Sequence, residues 1–229
     1  MIRIESNKIG LTRRLICMMM LIIAGVSAMA EKPVAKKLFV FGDSMTGWMA
    51  ERLQAYGEKN GFEVSTLIWD GATIKKYGNN SEKLKKYISS NDPDAVIVCL
   101  GMNEMASPNP EVQLGGSLAK IKSAAGNVPI LWVGPCAWPG KPQWGPALDS
   151  WLKKAMGDGH YYSSQKLTLP RQSNTNPHPT REGMNTWTDH IVDWIESGDA
   201  AIALPGYAAP AKAFSRPKNY TYLKMKSPL

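Results

Sequence analysis

Four short apolar runs, set apart by stretches of helical periodicity, constrain this chain more than any other feature. They are residues 37–42 (KLFVFG), 62–69 (FEVSTLIW), 95–100 (AVIVCL) and 128–134 (VPILWVG). Runs this continuously apolar suit strands covered on both faces. The segments 46–59, 81–90, 111–125, 146–156 and 180–196 between and after them read as helices. The last carries Trp187, Ile191, Trp194 and Ile195 on one stripe. A further short strand is expected at 160–163. Strand and helix in alternation give right-handed β-α-β units, hence a parallel sheet of about five strands inside a three-layer α/β/α sandwich. In such sheets ligands meet the carboxyl ends of the strands, so chemistry is sought there.

Composition narrows the function classes. The net charge of +8 lies at the two ends. Residues 1–30 hold Arg3, Lys8, Arg13 and Arg14 against Glu5, and residues 201–229 hold Lys212, Arg216, Lys218, Lys224 and Lys226 with no acid. That leaves 31–200 with 18 basic and 18 acidic residues, so the body has no excess charge for nucleic acid. No G-x-G-x-x-G follows the first strand and no Walker lysine motif occurs, which gives nucleotide binding no support. The three cysteines show neither disulfide-scaffold nor zinc spacing, and Cys99 and Cys136 are expected as buried free thiols. His160, His178 and His190 do not fall at metal-ligand spacing, so neither metal nor cofactor is expected.

The start of the chain reads as an address. A basic stretch precedes the apolar run from Leu15 to Val26, and Ala28 and Ala30 form an A-x-A cleavage site. The run is shorter than the roughly 20 residues that span a bilayer. Residues 1–30 are therefore expected to be a signal peptide. The mature protein would begin near Glu31, reside in the periplasm or outside the cell, and keep no stable membrane insertion. Residues 31–200 form the expected domain, and 201–229, rich in Pro, Ala and Lys, a surface-hugging or loose tail.

Each strand end carries a polar or glycine signature. Gly42-Asp43-Ser44-Met45 follows the first strand, where a serine between strand and helix exposes its hydroxyl near a helix N-terminus, as a nucleophile or as a helix cap. Asp70-Gly71 follows the second strand, Gly101-Met102-Asn103-Glu104 the third, and Asn176-Pro177-His178-Pro179-Thr180 precedes the last helix.

Taken in order, these blocks resemble the SGNH hydrolases, also called the GDSL esterase/lipase family. Gly42-Asp43-Ser44 matches the first family block, Gly71 the second, Gly101-Met102-Asn103 the third, and His178-Pro179-Thr180 with Gly183 the fifth, over about residues 37–197. The resemblance implies a flavodoxin-like fold and metal-free ester hydrolysis. It makes Ser44 the nucleophile, His178 the general base, and the N–H groups of Ser44 and Gly71 with the Asn103 amide an oxyanion hole. His190, within a helix, and His160, at the start of a strand, suit that role less well. Two positions depart from the family pattern. Glu104 stands where aspartate is usual, and Thr175 stands where the histidine-orienting aspartate is usual. Residues 161–181 contain no Asp or Glu, so a hydroxyl such as that of Thr175, a carbonyl or a distant acid must hold the imidazole.

Specificity is less legible. Trp138 and Trp144 lie beyond the fourth strand, where flat rings either stack on sugars or pin the loop. The expected partner is a small-molecule or glycan ester, with O-acetyl groups on carbohydrate favoured. A sugar O-acetyltransferase using the same residues, or a non-catalytic glycan-binding descendant, is the alternative.

Overall fold

The computed structural model describes residues 31–229; the expected signal peptide and the expected cleavage site after Ala30 lie outside them. The strands are β1 (Lys37–Gly42), β2 (Glu63–Trp69), β3 (Ala95–Cys99), β4 (Ile130–Val133), β5 (Tyr161–Tyr162) and β6 (Asn219–Leu223). The helices are α1 (Thr46–Asn60), α2 (Ile74–Asn79), α3 (Ser81–Asn91), α4 (Pro110–Ala125), α5 (Pro146–Met156) and α6 (Arg181–Glu196). All strand pairs are parallel, in the order β5-β4-β3-β1-β2-β6. The three-layer α/β architecture is as read from the alternation, with six strands rather than about five.

Period-two alternation sorts the strand residues between the layers. Leu38, Val40, Ile97, Cys99, Leu131 and Val133 face one core, closed by Met49 and Leu53 of α1 and by Trp187, Ile191 and Ile195 of α6. Phe39, Phe41, Val96, Val98 and Trp132 face the other, closed by α2 to α5 through residues such as Leu84, Leu118 and Leu152. Cys99 and Cys136 are buried free thiols. No helix among the described residues is long and apolar enough to cross a membrane.

The sixth strand comes from the segment expected as a tail. Residues 219–223 pair with β2 from Ser65↔Asn219 to Trp69↔Leu223 and form one sheet edge. The reading missed them because an edge strand has one partner and a half-exposed face, so it lacks a continuous apolar run. The other addition, α2, is only six residues long and is started by Thr73, whose side chain accepts from the Lys76 N–H.

The order of the strands decides where the site lies. β1 is central, and the chain moves from it to β2 on one side, then to β3 on the other. That reversal opens a crevice at the carboxyl end of β1, where ligands bind in doubly wound sheets. Ser44 lies two residues past the end of β1.

Candidate active site

Gly42 ends β1 against β3 so closely that a Cβ there would overlap the Cys99 carbonyl, leaving glycine the one residue that fits. The chain then turns over Asp43. The Met45 N–H donates to Asp43 Oδ1 at 2.9 Å and the Thr46 N–H to the Asp43 carbonyl at 3.0 Å, which sets the entry into α1. The N-cap position of α1 falls on Met45, so Ser44 does not cap the helix. Its hydroxyl instead meets His178 Nε2 at 2.9 Å.

His178 is 134 residues away, on a loop held by several independent bonds. The Thr180 N–H donates to the Pro170 carbonyl at 2.8 Å, and Arg171 donates to Ala137 O at 2.7 Å and to Pro177 O at 3.3 Å. The Thr180 side chain caps α6 by accepting from the Gly183 N–H at 3.1 Å. Helices α1 and α6 are fastened to each other by Arg52 and Asp189 through two bonds of 2.9 and 3.1 Å, with Tyr56 donating to the same carboxylate at 3.0 Å. This clasp fixes the two elements that carry Ser44 and His178. Neither Arg171 nor Arg52 was singled out from sequence, since an arginine pinning carbonyls has no motif.

Thr175 does not take the orienting role expected of it. Its hydroxyl meets Ser173 Oγ at 3.0 Å, while His178 Nδ1 faces Asn176 Oδ1 at 3.3 Å. The same Oδ1 accepts the backbone N–H of His178 at 3.0 Å, an Asx turn across Pro177. Because that N–H must meet an oxygen, the amide cannot be reversed. Oδ1 therefore points at Nδ1, Nδ1 carries the proton, and the Nε2 lone pair is left for Ser44. Desolvation lowers the His178 pKa below 6.5, opposed by the negative charge of Asp70.

The other expected residues lie on the far side of Ser44. Gly71 has φ of +60°, and a Cβ there would stand 2.8 Å from Met225 Cε, so conformation and crowding both select glycine. Among the described residues, neither the Ser44 N–H nor the Gly71 N–H has a protein acceptor. Asn103 ties these two turns together, its amide donating to Ala72 O at 2.9 Å and to Asp43 Oδ2 at 3.2 Å. An oxyanion would take over the longer of those bonds. Burial pushes the Asp43 carboxyl up to about 7. Glu104, the departure in the third block, accepts the N–H groups of Ile74 at 2.8 Å and Lys75 at 3.3 Å, anchoring α2 just after the Gly71 turn.

Ser44 and His178 open into a cleft of about 580 Å³. Its walls include Trp48, Asp70, Arg181, Tyr220 and Tyr222. Trp138 and Trp144 are not among the lining residues. They pack edge to face with centroids 5.6 Å apart, and Trp138 Nε1 donates to Asn174 O at 2.9 Å, bracing the histidine loop. The cleft aromatics were missed because Trp48 reads as one face of α1 and the tyrosines belong to the supposed tail. No group of three His, Cys, Asp or Glu among the described residues could hold a metal.

The order of strands and helices in this sheet also describes a set of solved structures. An esterase, EstA, from Pseudoalteromonas sp., crystallised with monoethylphosphonate as inhibitor, superposes with a TM-score of 0.55 at 17% identity over 71% of this chain and 98% of its own. The chain has the SGNH-hydrolase fold. A member of the G-D-S-L lipolytic family from Veillonella parvula matches with a TM-score of 0.52 at 12% identity over 69% of this chain and 96% of its own. TesA matches with a TM-score of 0.51 at 16% identity over 70% and 98%. No family model and no curated protein sequence matches the chain. At these identities the likeness to SGNH hydrolases is one of architecture, and the chemistry rests on the residues described above.

Proposed function

We propose that the protein is an exported serine esterase that removes small acyl groups, O-acetyl foremost, from carbohydrate. The observation that carries this reading is the 2.9 Å contact between Ser44 Oγ and His178 Nε2, with the N–H groups of Ser44 and Gly71 lacking a protein acceptor among the described residues. As Oγ attacks the ester carbon, its proton passes to Nε2, and the carbonyl electrons move to the oxygen, which meets the N–H groups of Ser44 and Gly71 with the Asn103 amide. Collapse expels the alkoxide, which takes the proton from Nε2 and leaves as the alcohol. Water then attacks the acyl-serine with its proton going to Nε2, and collapse returns that proton to Oγ.

Carbohydrate is favoured by the walls. Trp48 and Tyr222 both line the cleft and are 41% and 50% exposed, and such flat surfaces stack on the apolar faces of sugar rings. Export rests on the basic, apolar and A-x-A pattern of residues 1–30. The test is hydrolysis of p-nitrophenyl acetate by the chain from Glu31 onward, with a fluorophosphonate probe to mark the nucleophile. Turnover and labelling should both vanish in Ser44→Ala. Folded protein that binds sugars without turnover would overturn the esterase reading, and acetyl transfer to an added sugar would redirect it to a transferase.

A further inference from the structure

The imidazolium that forms during attack lacks a carboxylate on its own loop. Asn176, which faces Nδ1, offers a neutral dipole. Two acids near Ser44 are already committed. Asp43 is buried and takes the Met45 and Asn103 bonds, and Glu104 takes two amides of α2. Asp70 is different. Among the described residues it is the one carboxylate lining the cleft that holds Ser44 and His178. It sits at the end of β2, just before Gly71, with one oxygen bonded by the Tyr222 hydroxyl.

We propose that Asp70 acts across the cleft as the charge partner of His178, with Asn176 as the residue that orients the ring and Tyr222 as the clamp that holds Asp70 in place. The proposal rests on the esterase reading for its catalytic meaning. It divides between two residues the tasks one aspartate performs in a serine protease, orientation of the imidazole and stabilisation of its cation. Orientation needs contact, which Asn176 has. Charge stabilisation needs no direct contact, because a charge lining the same cleft acts on the ring through space.

The C-terminal strand is what keeps the carboxylate there. The Asp70 N–H donates to Leu223 O at 3.0 Å, so backbone and side chain are both tied to β6. Tyr222 remains a donor at working pH, since the bond to Asp70 raises its phenol to about 12. The other charged group lining the cleft is Arg181, at the start of α6. Its guanidinium lies over the rings of Trp48 at 5.7 Å and Phe214 at 4.5 Å. Tyr220 shares the β6 wall and is neutral, with burial raising its pKa. The negative charge of Asp70 acts on His178 in the direction the proposal requires, favouring the cation.

The experiment follows the His178 Cε1 proton by NMR through a pH titration, assigned by its absence in His178→Gln, alongside the pH profile of kcat/KM for p-nitrophenyl acetate. In Asp70→Asn the His178 pKa should fall by about half a unit to one unit. The acidic limb of the profile should move down equally, with kcat about tenfold lower. Tyr222→Phe should give a smaller shift of the same sign, which also covers misfolding of the first variant. Adding Asn176→Asp to Asp70→Asn should raise the pKa again and recover kcat. An unmoved His178 pKa in folded Asp70→Asn overturns the proposal, even if the rate falls. A lowered pKa in a protein without ester turnover would leave the charge pairing standing and remove the esterase reading.

Discussion

Replacing Asn176 by Asp puts a charge where the structure has a dipole, and its effect can be worked from the geometry. Oδ1 lies 3.3 Å from His178 Nδ1. A unit charge at that distance from an imidazolium is worth about 1.3 kcal/mol at the permittivity of water and about 5 kcal/mol at an effective value of 20. The ring borders an open cleft, so the low end applies. At about 1.4 kcal/mol per pH unit, the His178 pKa should rise by about one unit from its lowered value. A general base must be neutral to work, so the acidic limb of the rate profile moves up by the same amount. Turnover of p-nitrophenyl acetate should therefore fall near pH 6 and rise roughly threefold to tenfold on the alkaline plateau, where the cation of the transition state is better stabilised. The gain is smaller than the ~10⁴ loss seen when a protease triad aspartate becomes asparagine, because the His178 N–H already holds the correct tautomer here. A variant with an unmoved acidic limb and unchanged plateau would refute the contact between Asn176 and Nδ1.

The remaining predictions concern the oxyanion turn, the clasp, pH and metals. Gly71→Ala adds about 1 kcal/mol of left-handed backbone strain and crowds Met225, so kcat should drop at least about tenfold with KM little changed; a change in KM alone would make Gly71 a binding contact. Arg52→Ala leaves Asp189 with the Tyr56 hydroxyl but without its cationic partner, and with that carboxylate 37% exposed the cost should be about 2 kcal/mol, read as a melting temperature roughly 4–8 °C lower. Because burial lowers the His178 pKa, the acidic limb of wild-type kcat/KM should lie below pH 6.5; a limb above 7 would contradict that environment. EDTA should leave turnover intact, and restoration by zinc after loss would refute the metal-free mechanism.

What the sequence made legible follows from how strongly each element declares itself. Buried strands such as β1 and β3 are nearly pure apolar runs, and helices such as α6 carry an apolar stripe, so the sheet and its layers could be read directly. Ser44, Gly71 and Asn103 stood out because strand ends are where such sheets work, and His178 because its block before the last helix resembles a family block; the fold brings Ser44 and His178 into contact. The orienting role of Asn176 was not legible, because it depends on a turn across Pro177 that no pattern announces. β6 escaped notice because Asn-Tyr-Thr-Tyr-Leu is neither continuous nor flanked by apolar sequence, and only the unpaired edge of β2 gives it a place.

That strand also bears on how such a protein can diversify. It touches the rest of the sheet along one edge and contributes Tyr220 and Tyr222 to the cleft from a segment lying beyond every motif block. Replacing Tyr220 and its neighbours, with Tyr222 kept on Asp70, would leave the layers between β1, α1 and α6 undisturbed, so the serine and histidine would keep their distance while the wall beside them was rewritten. Under the proposed esterase reading, descendants of such a chain could acquire new ester preferences through a few C-terminal codons, with the Ser44–His178 pair inherited unchanged.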